Sequence, residues 1–204
     1  MNSLEGVTIV GLTGQSGAGK STVSGYFSEC GIPVIDCDKV SRRVSGFPEF
    51  LAETAKLFPD CFDGGILMRK KLGAVVFNNV YMLRAYGRII YPYITAEIFR
   101  EIRTLRLKGE RLIILDAPQL FESGIDAVCT AIVSVIAPFD VKLMRVLERD
   151  NIPEDFAKSR LSSQFSENFF CDRSDIVIVN DGCLADLKEK TKAVAKIVKE
   201  LFNA

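Results

Sequence analysis

GLTGQSGAGKST, from Gly11 to Thr22, decides how this chain is read. Within it, Gly14 to Ser21 fits GxxxxGK[ST] in full. Glycine permits positive φ and lets backbone N–H groups approach an anion closely. A helix beginning near Gly19 points its positive end at the same anion. Lys20 then reaches the β- and γ-phosphates of a nucleotide, and the Ser21 hydroxyl is placed to ligate Mg²⁺. The motif has meaning only between a strand and a helix, and both are legible. VTIVGL (Val7–Leu12) is a short apolar run suited to a buried parallel strand, and it argues for a first strand where a signal peptide would otherwise begin. After the loop, Val23, Phe27 and Cys30 recur at helical spacing, and Gly31-Ile32-Pro33 reads as a stop.

Outward from the loop, strands alternate with helices. Pro33–Ile35 is a second strand ending in Asp36-Cys37-Asp38. Residues 39–108 show no strand pattern. Helices are expected around Leu51 and Phe58, around Val75 to Val80, and through Ile94, Ile98, Ile102 and Leu105, the last capped by Gly109. Further strands follow at Arg111–Pro118, Ala127–Ala137 and Asp175–Asn180. A charged helical segment occupies about 141–170, and the final helix turns Leu187, Val194, Ile197 or Val198, and Leu201 to one side. This alternation predicts an α/β chain with the P-loop NTPase fold: a five-stranded parallel sheet flanked by helices. The core falls at about 1–38, 109–140 and 171–204, with a helical substrate-binding insertion at about 39–108 and a helical lid at about 141–170.

Composition excludes several classes. Lys plus Arg and Asp plus Glu are 26 each, so the formal net charge is zero. That speaks against nucleic acid as the main partner, since backbone phosphates call for a basic excess. No window reaches the ~18 uninterrupted apolar residues of a membrane span. The six cysteines form no CxxC pair, which suits free thiols in a reducing cytoplasm. With no histidine, a Ser-His-Asp triad and any histidine-based metal site are ruled out. Proton transfer then falls to carboxylates, lysine, tyrosine or water.

Three groups outside the loop carry candidate chemistry, each with a plainer alternative. Asp36 and Asp38 share a face if the segment is extended, where a carboxylate can take a proton from an attacking hydroxyl or hold Mg²⁺ through water; equally, one or both can cap the following helix. Asp116 ends a strand of four apolar residues and suits metal positioning, or else a turn. Arg145, Arg149, Lys158 and Arg160 form either a solvated helix face or a lid that closes cations over a triphosphate. A guanine-reading motif is missing, because Thr191-Lys192-Ala193-Val194 lacks its aspartate.

Taken together, these stretches resemble the dephospho-CoA kinase family over nearly the whole chain. GLTGQSGAGKSTV resembles its loop and VIDCDKVSRRV its second-strand signature. Met68 to Gly73, with Val76-Phe77, resembles its mid-insertion motif. Asp116-Ala117-Pro118-Gln119-Leu120-Phe121-Glu122 is similar to D-x-P-L-L-F-E, while Arg145, Arg149-Asp150, Arg160, Gln164 and Asn180-Asp181-Gly182 match the later pattern. The resemblance implies transfer of phosphate from ATP, with Mg²⁺, to the ribose 3′-hydroxyl of dephospho-CoA. It implies Asp38 as the base, with Lys20 and Arg145 serving the transfer. ATP falls to Gly14, Ser16, Gly17, Ala18, Gly19, Lys20, Ser21, Thr22, Arg145, Arg149, Asn180 and Gly182. The acceptor falls to Asp38, Arg69, Tyr91, Pro118, Leu120, Phe121, Glu122 and Arg160, and the metal to Ser21, with Asp36 or Asp116 acting through water. Three positions depart from the family pattern on the acceptor side: Tyr91 where histidine is usual, Met68 where aspartate is usual, and Gln119 in place of leucine. Two other readings use the same core: a kinase for another nucleotide or small alcohol, and a catalytically weak paralogue that binds nucleotide or CoA.

Overall fold

The computed structural model describes residues 6–202. Strand β1 (Thr8–Gly14) is buried over nearly all its length and leads straight into the glycine loop. Helix α1 (Lys20–Glu29) follows, burying Val23 and Phe27. Gly31 takes φ +75°, where a side chain would be strained. There Gly31 N–H bonds Ser28 O and Ile32 N–H bonds Phe27 O, the two bonds of a glycine-terminated helix end.

Strand β2 (Val34–Asp36) gives way at once to α2 (Cys37–Val44). Then come α3 (Pro48–Leu57), a two-stranded antiparallel hairpin of β3 (Phe62–Asp63) and β4 (Ile66–Leu67), α4 (Arg69–Phe77) and the 28-residue α5 (Val80–Leu107). Strand β5 (Leu112–Asp116) is wholly buried. It is followed by β6 (Ala131–Ile136), then α6 (Phe139–Asp150), α7 (Glu154–Ser162) and α8 (Glu167–Arg173), and finally β7 (Ile176–Val179) and α9 (Leu184–Leu201).

The chain divides into two compact units, one running to Asp36 and resuming at Ile102, the other Cys37–Glu101. In the first, five parallel strands lie in the order β2-β5-β1-β6-β7. Strand β1 is central, pairing Leu12 with Asp116 of β5 and with Val133 of β6. From β1 the chain goes first to one side of the sheet and later to the other. The loop after β1 therefore opens at the point where the strand order reverses, the place where open α/β sheets bind ligands. Helices α1 and α9 pack their apolar sides, through Val23, Phe27, Leu187, Val194 and Val198, onto sheet residues Val10, Leu12 and Val135. In the second unit, Phe58, Cys61, Leu72 and Val76 form a small core of their own, with Tyr86 packed against it.

Several details differ from the expectation. Residues 39–108 do contain strands, but each is two residues long, joined by Gly64-Gly65 at φ +53° and +83°, and too short to show a period. The fourth core strand starts at Ala131, not Ala127, because Ile125–Val128 forms a 3₁₀ turn after Gly124 at φ +73°. Helix α5 begins fourteen residues before Ile94 and carries Pro92 in its interior. At the far end, Val198 is buried while Ile197 and Leu201 face out. Asp38 lies in the first turn of α2, not in extended chain, so the alternating strand geometry expected to align it with Asp36 does not apply.

Candidate active site

The loop is built on glycines that no other residue could replace without a collision. Gly14, Gly17 and Gly19 have φ of +147°, +78° and +99°. A Cβ on Gly14 would stand 2.3 Å from Val135 O, one on Gly17 2.6 Å from Lys142 O, and one on Gly19 2.3 Å from Asn180 Nδ2. Gly19 caps α1 in the left-handed region, and the first turn of that helix contains no acid. The positive end of the helix therefore faces the cradle with no acid in its own first turn to offset it.

Side-chain and backbone groups of later elements pin the loop residue by residue. Gln15 Nε2 donates to Phe165 O at 2.8 Å, and Ser16 N–H donates to Gln164 Oε1 at 3.0 Å. Arg149 reaches Ser16 Oγ at 3.3 Å, Arg145 reaches Gly17 O at 3.2 Å, and Asn180 Nδ2 donates to Ala18 O at 2.7 Å. Lys142, buried on α6, donates to Gln15 Oε1 and pairs with Glu167 at 2.6 Å. Lys20 is paired with Asp116, and both side chains are nearly buried. Asp36 stands opposite Asp116 in the β2–β5 register, so the two acids end neighbouring strands beside the loop.

Asp150 joins the two outer arginines of this segment, with Arg149 at 2.7 Å and Arg160 at 2.7 Å. The Arg149 hydrogen bond, reinforced by both guanidinium charges, holds the Asp150 carboxyl below its ordinary range, and the same bond raises Arg149. Arg160, expected on the acceptor side, is thus engaged with Asp150. Arg145 also approaches Asn180 Oδ1 at 3.5 Å. Gly182 follows in the turn before α9, where a Cβ would stand 2.6 Å from Asp186 Oδ2.

Beyond β5, Leu120 is buried and Phe121 packs edge-on to Phe169, with centroids 5.2 Å apart. Pro118 is half-buried. Glu122 is exposed, yet atoms packed around it raise its carboxyl above the usual value, opposed by a bond from its own backbone N–H. In the second unit, Asp38 is exposed in α2, Arg69 opens α4, and Tyr91 is exposed on α5. Arg69 lines a cavity of about 230 Å³ together with Arg42, Leu72, Phe77, Tyr86 and Ile90. Tyr86 has its phenol raised by burial, with the Arg69 charge acting the other way. Residue spacing gave no sign of Lys142, Gln15 or Glu167: a lysine in a charged helix reads as surface, and only its burial reveals it.

A glycine cradle at the switch point of a parallel sheet, with a lysine and two strand-end acids beside it, defines a P-loop nucleotide-binding protein. The comparisons with known proteins narrow this. The dephospho-CoA kinase family model matches residues 8–186, and the chain belongs to that family. A dephospho-CoA kinase of Fusobacterium nucleatum is 36% identical over 194 residues, covering 94% of this chain and 99% of that one. One from Saccharomyces cerevisiae is 35% identical over 199 residues, covering 94% and 83%. Among solved structures, one from Thermus thermophilus is 31% identical with a TM-score of 0.82, and a dephospho-CoA kinase from Campylobacter jejuni is 25% identical with a TM-score of 0.70; each alignment covers 94% of this chain and 98% of the other.

Proposed function

We propose that this protein transfers the γ-phosphoryl group of ATP to the ribose 3′-hydroxyl of dephospho-CoA, the last step of CoA biosynthesis. The observation that carries the reading is the complete glycine cradle, with Lys20 and the strand-end acids, in a chain of this family. The backbone of Gly14 to Thr22 and the start of α1 hold the donor phosphates. The Lys20 ammonium neutralises charge on the β- and γ-oxygens as the bond to the leaving ADP oxygen breaks. Arg145 and Arg149 add positive charge from α6, and Asn180 with Gly182 flanks the base of the nucleotide.

Asp38 orients the acceptor hydroxyl and takes its proton as oxygen bonds to phosphorus; in a loose transition state much of its value is aim. Residues 39–108 receive the acceptor, with Arg69 and Tyr91 contributing, and Pro118, Leu120, Phe121, Glu122 and Arg160 complete its site. Residues 141–170 act as the lid over the phosphates. Among the described residues, no three His, Cys, Asp or Glu side chains gather as a metal cluster. The Ser21 hydroxyl at the start of α1, with Asp36 or Asp116 acting through water, nevertheless suits Mg²⁺, which keeps several waters and takes further ligands from phosphate. When bound, Mg²⁺ neutralises phosphate charge. A cytoplasmic setting fits cysteines that form no disulfide among the described residues. No described helix is long and apolar enough to cross a membrane.

The test is ADP release from ATP across a panel of acceptors: dephospho-CoA, adenosine, AMP and shikimate. The reading requires the highest kcat/KM with dephospho-CoA. Preference for AMP or shikimate would make this a kinase for a different acceptor, and no turnover with any of them would leave a binding paralogue.

A further inference from the structure

Lys142 is a lysine in a place where lysine is costly. Its side chain is 3% exposed, in the first turn of α6. Burying an ammonium costs several kcal/mol, and a buried ion pair is commonly no more stabilising than apolar residues of the same volume. Stability alone therefore gives a poor account of this cation. Its partners give a better one. One of its bonds goes to Gln15 Oε1, a side chain of the glycine loop itself, and another to Glu167 in the first turn of α8.

The bond to Gln15 fixes which way the Gln15 carboxamide faces. With its oxygen on Lys142, the amide nitrogen is turned to Phe165 O at 2.8 Å. The neighbouring residue repeats the link, since Ser16 N–H donates to Gln164 Oε1 at 3.0 Å. The backbone of Lys142 also abuts Gly17, leaving no room for a Cβ there. One buried side chain thus ties the crest of the phosphate loop to the junction between α7 and α8.

We propose that Lys142 is a positioning residue for the donor phosphates, acting through the Gln15 carboxamide to hold the loop in register with the segment Gln164–Glu167. The inference rests on the phosphotransferase reading but not on the acceptor's identity. Lys142 itself touches no reacting atom; its effect appears in how well the loop N–H groups are aimed before ATP arrives, which is preorganisation.

The test compares Lys142→Met, Gln15→Leu and the double variant. ATP affinity is measured by calorimetry with no acceptor present, alongside KM for ATP and for dephospho-CoA. Each single variant should bind ATP roughly tenfold more weakly, the scale of one lost charge-assisted hydrogen bond. KM for dephospho-CoA should stay within about twofold, and the double variant should be no worse than the weaker single, because both remove one link. A role in folding alone would lower the melting temperature and leave ATP affinity unchanged, and that result overturns the proposal, as does full additivity of the two changes. If Lys142→Met does not fold, Gln15→Leu decides: ATP affinity within about twofold of the unaltered protein refutes it. Failure of the unaltered protein to phosphorylate dephospho-CoA would strike the acceptor assignment and leave this comparison readable.

Discussion

Replacing Lys20 by methionine tests two roles of one side chain. Lys20 and Asp116 are 13% and 8% exposed at their side chains and form an ion pair. Removing the lysine leaves Asp116 with its charge in a nearly dry place. Breaking a fully buried pair from one side costs about 3–5 kcal/mol. Asp116 ends its strand at the edge of the cradle, so the lower figure applies, about 3 kcal/mol. For a chain of about this length each kcal/mol moves the melting temperature by roughly 2–4 °C, giving a fall of roughly 6–12 °C. Turnover should drop by about 10²–10³, as when a preorganised charge-stabilising group is removed from an active site. The decisive partner is Lys20→Met with Asp116→Asn. It removes the orphaned charge, so the melting temperature should recover by more than half while turnover stays lost. Melting is followed by differential scanning calorimetry without nucleotide, and turnover by ADP release. A single variant melting within about 1 °C of the unaltered protein would refute the ion-pair argument. Turnover within about threefold would refute the cradle assignment itself.

Asp38→Asn keeps the shape of the side chain and removes its charge; single-turnover transfer should slow by roughly 10²–10⁴ while ATP still binds, and a near-normal rate would reduce Asp38 to a helix-capping role. Arg149→Ala and Arg160→Ala should lower kcat more than they weaken ATP binding, since a closing lid engages phosphate most as charge moves; a change in melting temperature alone would leave these two as structural partners of Asp150. Burial above all, then the Asp126 charge, pushes the Cys129 thiol up to about 12, against a bond from the Gly11 backbone. Because the folded value lies above the ordinary 9.0, its contribution to stability is complete below pH 9 and is lost as pH rises from there toward 12. At pH 8, iodoacetamide should therefore label exposed Cys171 and Cys183 well before Cys129, as read by peptide mass.

The parallel sheet and the cradle were legible in the sequence because they depend on short-range rules. An apolar run before GxxxxGK[ST] has few other folds open to it, and Gly31 and Gly109 end helices through local bonds that glycine makes cheap. What stayed hidden depends on contacts far apart in the chain. Lys142 lies 127 residues from Gln15 and 25 from Glu167. Nothing in FDVKLMRV distinguishes a lysine aimed inward from its exposed neighbours. The hairpin at Phe62–Leu67 escaped because two-residue strands have no period, although Asp63-Gly64-Gly65 signals its turn. The regular apolar spacing of the 28-residue α5 is visible only from Ile94 onward, since apolar residues on consecutive positions (Val80 to Leu83, Ile89 to Tyr91) blur any helical stripe in the first half, and Pro92 argues for a boundary that tertiary packing overrides. For Asp38 the sequence leaves both an extended strand end and a helix cap open, and only the structure places it in the first turn of α2, which begins directly after Val34-Ile35-Asp36.

The central question for this protein is which oxygen receives the phosphate. Incubating the protein with ATP, Mg²⁺ and dephospho-CoA, and following the product by ³¹P NMR and fragment mass spectrometry, answers this directly. The prediction is one new phosphomonoester on the ribose 3′-oxygen, formed in a 1:1 ratio with ADP. ADP released without an acceptor-bound phosphate, or phosphate found on any other oxygen of the acceptor, would contradict it.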